Sequence, residues 1–155
     1  MLTGHFPDAG QRTPEQLLVA YLATIGDVIE TQGKETVTTE TGLSATTVDA
    51  IAAVDTASPK HPEAAVPDRA GELTLTDVAS VLGLSPEFPD AETIAAEARD
   101  ILLMGMTTAV LDVDTIAARL DSDLDPKTIQ QKVEGRHPIT LDEYAQIHQL
   151  LEANS

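Results

Sequence analysis

ITLDEYAQIHQL, residues 139–150, repeats the pattern of LTLTDVASVLGL, residues 73–84, at a constant offset of 66 positions. Identical or similar residues recur at five positions of the earlier copy: Thr74, Leu75, Ala79, Val81 and Leu84. Both copies are predicted to form helices, since their apolar residues recur at helical spacing. The match indicates an internal repeat that is built from helices.

The repeat extends along the rest of the chain. An offset of 79 places Gly26 on Gly105, and an offset of 81 places Val48 on Ile129. The offsets change only at predicted turns and loops, as expected for two copies of one helical unit. We therefore predict an all-α protein in which two related, tandem helical units form one compact fold.

Local signals set the boundaries of the two units. Residues 13–16, TPEQ, have the form of a capping box, and Gly33 is a natural stop for the helix that follows. The segment 55–72 contains three prolines and no apolar periodicity, so it is predicted to be a linker or an extended loop. The predicted organisation is an N-terminal arm over 1–12, a first unit over 13–88 that contains this loop, and a second unit over 89–155.

Eight helices are predicted from apolar periodicity, caps and turn residues. They run from the Thr13 cap to Gly33 and over about 35–41, 45–54, 76–83, 91–109, 113–120, 126–134 and 141–152. Within the fifth helix, ILLMGMTTAVL at 101–111 is apolar nearly all round, which predicts that it is buried. Gly105 would allow this helix a close approach to the other half or to a second subunit.

The chain is strongly acidic, with 26 acidic residues, 9 basic residues and a formal net charge of −17. The acids are scattered singly through Ala-, Thr- and Val-rich helices, which favours a protein adapted to a cytoplasm at molar salt. At about 1 M salt the Debye length shrinks to about 3 Å, so this net charge would barely repel DNA at a distance.

Composition also limits chemistry and location. The absence of cysteine excludes disulfides and thiolate metal sites. The start of the chain, MLTGHFPDAG, lacks a basic region followed by an apolar core, and no apolar run approaches the roughly 20 residues of a membrane span. We predict a soluble, cytoplasmic protein that has no membrane partner.

A short helix, a Gly-Leu-Ser turn and a second helix in the first half resemble the Cro/repressor type of helix-turn-helix domain. The residues at the spacing of that motif are Gly42, Leu43 and Val48 in the first half, and Ala117, Ile129 and Gly135 in the second. VEGRHPITLDEYAQIHQLL, residues 133–151, resembles the fourth and fifth helices of such a domain. The resemblance implies two helix-turn-helix-like units.

The whole chain also resembles an uncharacterised family of proteins from halophilic archaea. The segments that carry this resemblance are EARDILLMGMTTAVLD, residues 97–112, and IQQKVEGRHPITLDEYA, residues 129–145. The resemblance supports the interpretation of the acidic surface as an adaptation to salt. It implies no particular activity.

The helix-turn-helix resemblance gives the predicted helix at 126–134 the role of a recognition helix in the major groove. Glutamine pairs bidentately with adenine, and lysine contacts guanine or phosphate. The residues expected at base edges are Lys127, Thr128, Gln130 and Gln131. Lys132 and Arg136 would contact the phosphate backbone. The function implied is that of a non-catalytic transcriptional regulator that binds double-stranded DNA.

The competing hypothesis is a protein-interaction module, with a protein partner or a second copy of itself, that has the same scaffold without DNA binding. In this interpretation the polar residues of 126–134 are a solvated helix face, and Ile129 and Val133 pack inward. Arg136 would then pair with Glu134 or Asp142. Fold alone does not choose between the two hypotheses.

Surface charge distinguishes them. A positive strip over Lys127, Lys132 and Arg136, unbroken by Asp123 or Glu134, would favour DNA. The equivalent helix of the first half, SATTVDAIAA, has no basic residue. We therefore expect that first-half helix to be structural or to contact protein.

No catalytic, cofactor or metal site is predicted. The four histidines form no His-x-x-x-His pair, and there is no Gly-rich phosphate loop and no Gly-x-Ser-x-Gly motif. The acidic segment 121–125 is followed by neither the glycine nor the glutamate that an EF-hand requires. His137 is expected to close a turn, and His148 to lie on a surface helix. We expect a protein that is not an enzyme.

Overall fold

The computed structural model describes residues 13–52, 73–120 and 123–154, which form helices and no β-strand. The helices are α1 (Pro14–Gln32), α2 (Lys34–Thr41), α3 (Ala45–Ala52), α4 (Leu75–Leu82), α5 (Ala91–Ala109), α6 (Val113–Arg119), α7 (Pro126–Val133) and α8 (Leu141–Ala153). The predicted all-α class is confirmed. The predicted arm 1–12 and loop 55–72 lie outside the described residues.

Threonine and aspartate side chains fix where most of these helices begin. Thr13 accepts a hydrogen bond from the Gln16 amide at 3.1 Å, and the Gln16 side chain accepts one in return from the Thr13 amide. The predicted capping box of α1 is therefore confirmed, and α4 and α8 begin with capping boxes at Thr74 and Thr140. Aspartate N-caps begin three further helices: Asp90 for α5, Asp112 for α6 and Asp125 for α7.

The helices follow one another in two runs of the same order. Each run opens with a helix of 19 residues, α1 or α5. A pair of short helices comes next, α2 and α3 or α6 and α7, and the members of each pair contact each other. A fourth helix, α4 or α8, closes the run.

The two runs exchange their packing partners. Helix α1 packs on α8, and α4 packs on α5, so each long helix is covered by the last helix of the other run. Just before α4 and α8, the Leu75 amide donates to the Ile139 carbonyl at 2.8 Å, and the Leu141 amide donates to the Leu73 carbonyl at 2.7 Å. Replacing each residue by its counterpart in the other copy, 66 positions away, converts each of these hydrogen bonds into the other. The contact between the runs is therefore two-fold symmetric at this point.

One continuous hydrophobic cluster joins both runs in the described part of the chain. Its largest fully buried side chains include Tyr21 and Leu22 of α1, Leu102 of α5 and Tyr144 of α8. The Tyr144 hydroxyl donates to the Ala98 carbonyl of α5 at 2.9 Å, which satisfies its polar atom in the core.

The prediction that His148 lies on the surface is wrong. Its residue is only 3% exposed, and its Nδ1 lies 2.6 Å from the Tyr21 hydroxyl. The Tyr144 ring packs edge-on against the imidazole, with ring centroids 5.6 Å apart. Burial lowers the pKa of His148 to about 4, so the imidazole is neutral at pH 7. The error arose because α8 contacts both α1 and α5 and so buries more than one face.

None of the described helices alone has the length and apolar character that a membrane crossing requires. Helices α5 and α6 would meet those criteria only if they were counted together, and the chain bends by 92° between them.

Candidate functional site

Helix α7, the predicted recognition helix, is held by a cap and by two buried side chains. The Asp125 carboxylate accepts from the Thr128 amide at 2.7 Å, and this hydrogen bond lowers the pKa of Asp125. Ile129 and Val133 are buried, as predicted. The opposite face of the helix is polar and is turned to solvent.

The six predicted DNA contacts divide into two groups by exposure. Lys127, Gln130 and Arg136 are exposed, whereas Thr128, Gln131 and Lys132 are half-buried. The Gln131 carbonyl accepts the amides of Arg136 and His137 at 2.8 and 3.2 Å, which closes the turn after α7. Only part of the predicted site therefore faces solvent freely.

Lys132 is engaged in a nearly enclosed ion pair. Its Nζ lies 2.6 Å and 2.7 Å from the two carboxylate oxygens of Glu143, and the side chains are only 14% and 18% exposed. Glu143 Oε1 also accepts from the Thr140 amide at 3.0 Å in the capping box of α8. Lys132 therefore ties α7 to the start of α8. Sequence reasoning missed Glu143 as its partner, although the Thr-x-x-Glu spacing of a capping box marks that residue.

The remaining charges on this face are mixed. Arg136 forms an ion pair with Glu134. The Glu134 carboxylate also accepts a hydrogen bond from the side-chain Nε2 of Gln130 at 3.2 Å. The hydrogen bond from Arg136 lowers the pKa of Glu134, which is therefore ionised at neutral pH. Lys127 makes no ion pair with a described residue. Carboxylates thus interrupt the strip of positive charge at two points.

Arg99 of α5 adds a cation that sequence reasoning did not identify. Its side chain lies over Gly135, where an added Cβ would come within 2.8 Å of the guanidinium Nε. Gly135 has φ +82, so glycine suits this turn both by its backbone conformation and by the space that Arg99 occupies. No signal in the sequence joins two residues this far apart.

A second surface lies on the C-terminal half of α5, and here the prediction of a fully buried helix is wrong. Leu102 and Gly105 are buried, but Met104 is 68% exposed and Val110, the C-cap, is 86% exposed. Leu103 is the third exposed large hydrophobic residue in the described part of the chain. All three fall within eight consecutive positions. We call Leu103, Met104 and Val110 the α5 apolar surface.

A groove of about 470 Å³ runs beside this surface, between α5 and the end of α8. Its lining combines apolar residues with carboxylates: Glu97, Asp100, Ile101, Met104, Gly105, Thr108 and Glu152. A Cβ added at Gly105 would lie 3.2 Å from Leu151 of α8. The prediction that Gly105 allows a close approach to the other half or to a second subunit is wrong about the partner, because the approach is made to α8 of the same half.

Among the described residues, no histidine, lysine or arginine lines this groove. Within the described residues, no group of three or more histidine, aspartate or glutamate side chains could hold a metal ion. The groove therefore offers an apolar floor and negative charge as its means of recognition.

The family model of DUF5791, a family of unknown function, matches residues 17–154. The chain belongs to this family. The DUF5791 match extends from α1 to α8, so it includes both α7 and the α5 apolar surface. No curated protein and no solved structure matches the chain.

Proposed function

We propose that this protein is a non-catalytic protein-interaction module that binds a partner through the α5 apolar surface and its groove. The observation that carries the proposal is the concentration of exposed large apolar side chains on one short segment of the described chain. Contiguous exposed apolar surface marks interaction sites in soluble proteins. Burial of one such side chain contributes about 1.5–3 kcal/mol, so covering Met104 and Val110 would offset part of the cost of association with a partner.

The other predicted surface supports this choice. Two of the three cations on and just after α7 have carboxylate partners within the protein, since Lys132 binds Glu143 and Arg136 binds Glu134. A phosphate would have to displace these carboxylates, and it would meet their negative charge at close range.

Co-purification from the native host tests the proposal. A tagged chain is compared with a Leu103→Ser/Met104→Ser variant, which removes apolar surface without changing charge. Ala45→Ser/Thr46→Ser, on the exposed first turn of α3, likewise leaves the charge unchanged and is the matched control. We expect a partner that is retained by the wild type and the control and is lost from the 103/104 variant. An identical set of co-purified proteins for all three chains would rule the proposal out.

DNA binding by α7 is the second candidate, for a transcriptional regulator that works in the cytoplasm of a halophile. Lys127 and Gln130 are exposed on the outer face of α7, and Arg99 adds positive charge beside the following turn. Helices α6 and α7 also contact each other, as the helices of a helix-turn-helix do.

Fluorescence anisotropy with genomic DNA fragments, at low salt and at molar KCl, tests this candidate. A DNA-binding regulator would lose affinity when Lys127→Glu and Lys132→Glu are combined. Absence of binding by the wild type, or unchanged binding by this variant, would eliminate DNA as the partner.

We also propose that the two runs of helices descend from one duplicated helix-turn-helix-like unit. The shared order of helices supports this, with 19 residues in both α1 and α5. The pair of hydrogen bonds that joins residues 73–75 to residues 139–141 supports it further, because the bonds exchange under the sequence offset.

A further inference from the structure

The groove beside α5 is elongated along the helix. Glu97, Ile101, Met104 and Thr108 line it at successive turns of one helix face. At 1.5 Å per residue these positions span roughly 16 Å, the length of about three turns of an α-helix. Glu152, near the end of α8, lies on the opposite side. A second helix that lay along α5 would match this groove in length.

The floor of the groove is apolar and adaptable. Ile101 is half-buried, and Met104 extends into solvent. Methionine has an unbranched, polarisable side chain that adjusts to differently shaped partners. Gly105 lets α8 approach α5 closely, because a Cβ there would meet Leu151 at 3.2 Å. The floor therefore suits the apolar face of an amphipathic helix.

The rim of the groove is acidic on both sides. Glu97 and Asp100 lie on the α5 side and Glu152 on the α8 side, and none of the described lining residues is positively charged. Electrostatic complementarity requires a partner with positive charge at its edges. A second copy of the chain that used the same groove does not fit, since it would set one acidic rim against another at contact distance.

We propose that the groove binds an amphipathic helix of a partner protein, with apolar anchors on one face and lysine or arginine along both edges. The anchors at positions i, i+4 and i+7 would contact Ile101 and Met104, and the basic residues would lie along the acidic rim of the groove. The inference rests on the proposed function and specifies the chemistry of the partner.

Synthetic peptides test this inference on the full chain. The probe is a Leu/Lys peptide of about 16 residues, roughly four helical turns, with leucine on one face and lysine on the other. A Leu/Gln peptide and a Leu/Glu peptide keep the same leucine pattern. Binding is measured by isothermal titration calorimetry. We expect saturable binding of the Leu/Lys peptide at one site per chain, weaker binding of Leu/Gln and none of Leu/Glu.

Substitutions in the protein locate the binding. Met104→Glu adds negative charge, so it would strengthen the binding of a Leu/Lys peptide that was held by electrostatic attraction alone. If the leucine face of the peptide docks in the groove, the same substitution should lower the affinity about tenfold. Glu97→Gln/Asp100→Asn removes two charges from the rim and is also expected to weaken binding. Glu40→Gln/Asp114→Asn removes two exposed charges elsewhere and serves as the matched control. All variants are first compared with the wild type by circular dichroism.

Each outcome has a separate meaning. The inference is overturned if the Leu/Lys peptide does not bind, or if the rim variant and its control weaken binding equally. If the Leu/Gln or Leu/Glu peptide binds best and Met104→Glu abolishes that binding, the basic partner is excluded while the proposed function stands. If Met104→Glu leaves the affinity for every peptide unchanged, the groove is not the peptide site and the inference is overturned, whereas the proposed function is decided by the co-purification experiment.

Discussion

The contact between Tyr21 and His148 gives the core a sensitivity to acid. His148 is buried, and its pKa is about 4 in the folded protein against about 6.5 in an unfolded chain. Between these two values the unfolded chain binds more protons, so the free energy of unfolding is fully retained above pH 6.5 and falls as the pH drops towards 4. The total loss is about 3 kcal/mol.

Urea unfolding as a function of pH checks this first prediction. A Tyr21→Phe/His148→Leu variant removes both polar partners of this contact together. We expect the slope between pH 6.5 and 4.5 to be smaller in this variant than in the wild type. Equal slopes would show that His148 does not titrate in this range.

Val110 is the residue with the clearest backbone strain. It caps α5 at φ 56 and ψ 46. Within the described part of the chain it is the one non-glycine residue whose φ is positive. A β-branched residue in this left-handed conformation costs about 1–2 kcal/mol. Val110→Gly should therefore raise the free energy of unfolding by roughly 0.5–1 kcal/mol, after the larger backbone entropy of glycine in the unfolded chain is subtracted. Val110→Ala, which keeps a Cβ, should gain less; a gain as large as that of glycine would speak against strain.

At the scale of elements, the contact between α7 and α8 depends on Lys132 more than on Arg136. The pair between Lys132 and Glu143 is nearly enclosed, whereas the Arg136 side chain is 61% exposed. Lys132→Ala leaves a carboxylate unpaired and should cost about 1–2 kcal/mol in the free energy of unfolding. Arg136→Ala should cost at most about 0.5 kcal/mol. Chemical denaturation of both variants checks this, and equal costs would contradict the structural role assigned to Lys132.

The helices were predictable because their signals are local. Thr13, Asp125 and the apolar spacing within each helix depend on residues three or four positions away. The burial of His148 and the exposure of Met104 were not predictable in this way. They depend on which helices pack against α8 and α5, and those partners come from distant parts of the chain. The inward face of α7, with Ile129 and Val133, could be predicted from apolar spacing, but the engagement of Lys132 by Glu143 depends on tertiary packing.

At the scale of the whole molecule, the exchange of helices makes the two runs interdependent. Helix α1 is covered by α8, and α5 by α4. We expect fragments 13–88 and 89–155 to be largely unfolded when separate, because each lacks one of the helices that pack on its long helix. Circular dichroism should show a gain of helix when the fragments are mixed, and the full chain should unfold in one cooperative transition. Cooperative unfolding of either fragment alone would show instead that the runs are independent domains.

Methyl NMR can show directly whether a partner binds at the α5 apolar surface. The chain has three methionines, so a sample labelled at the methionine methyl groups gives a simple spectrum that can be assigned by substitution. Titration with the Leu/Lys peptide should shift the Met104 signal until it saturates, and the half-buried Met106 should shift less. An unchanged Met104 signal at peptide concentrations that saturate binding by calorimetry would contradict the account, because the partner would then lie on another surface.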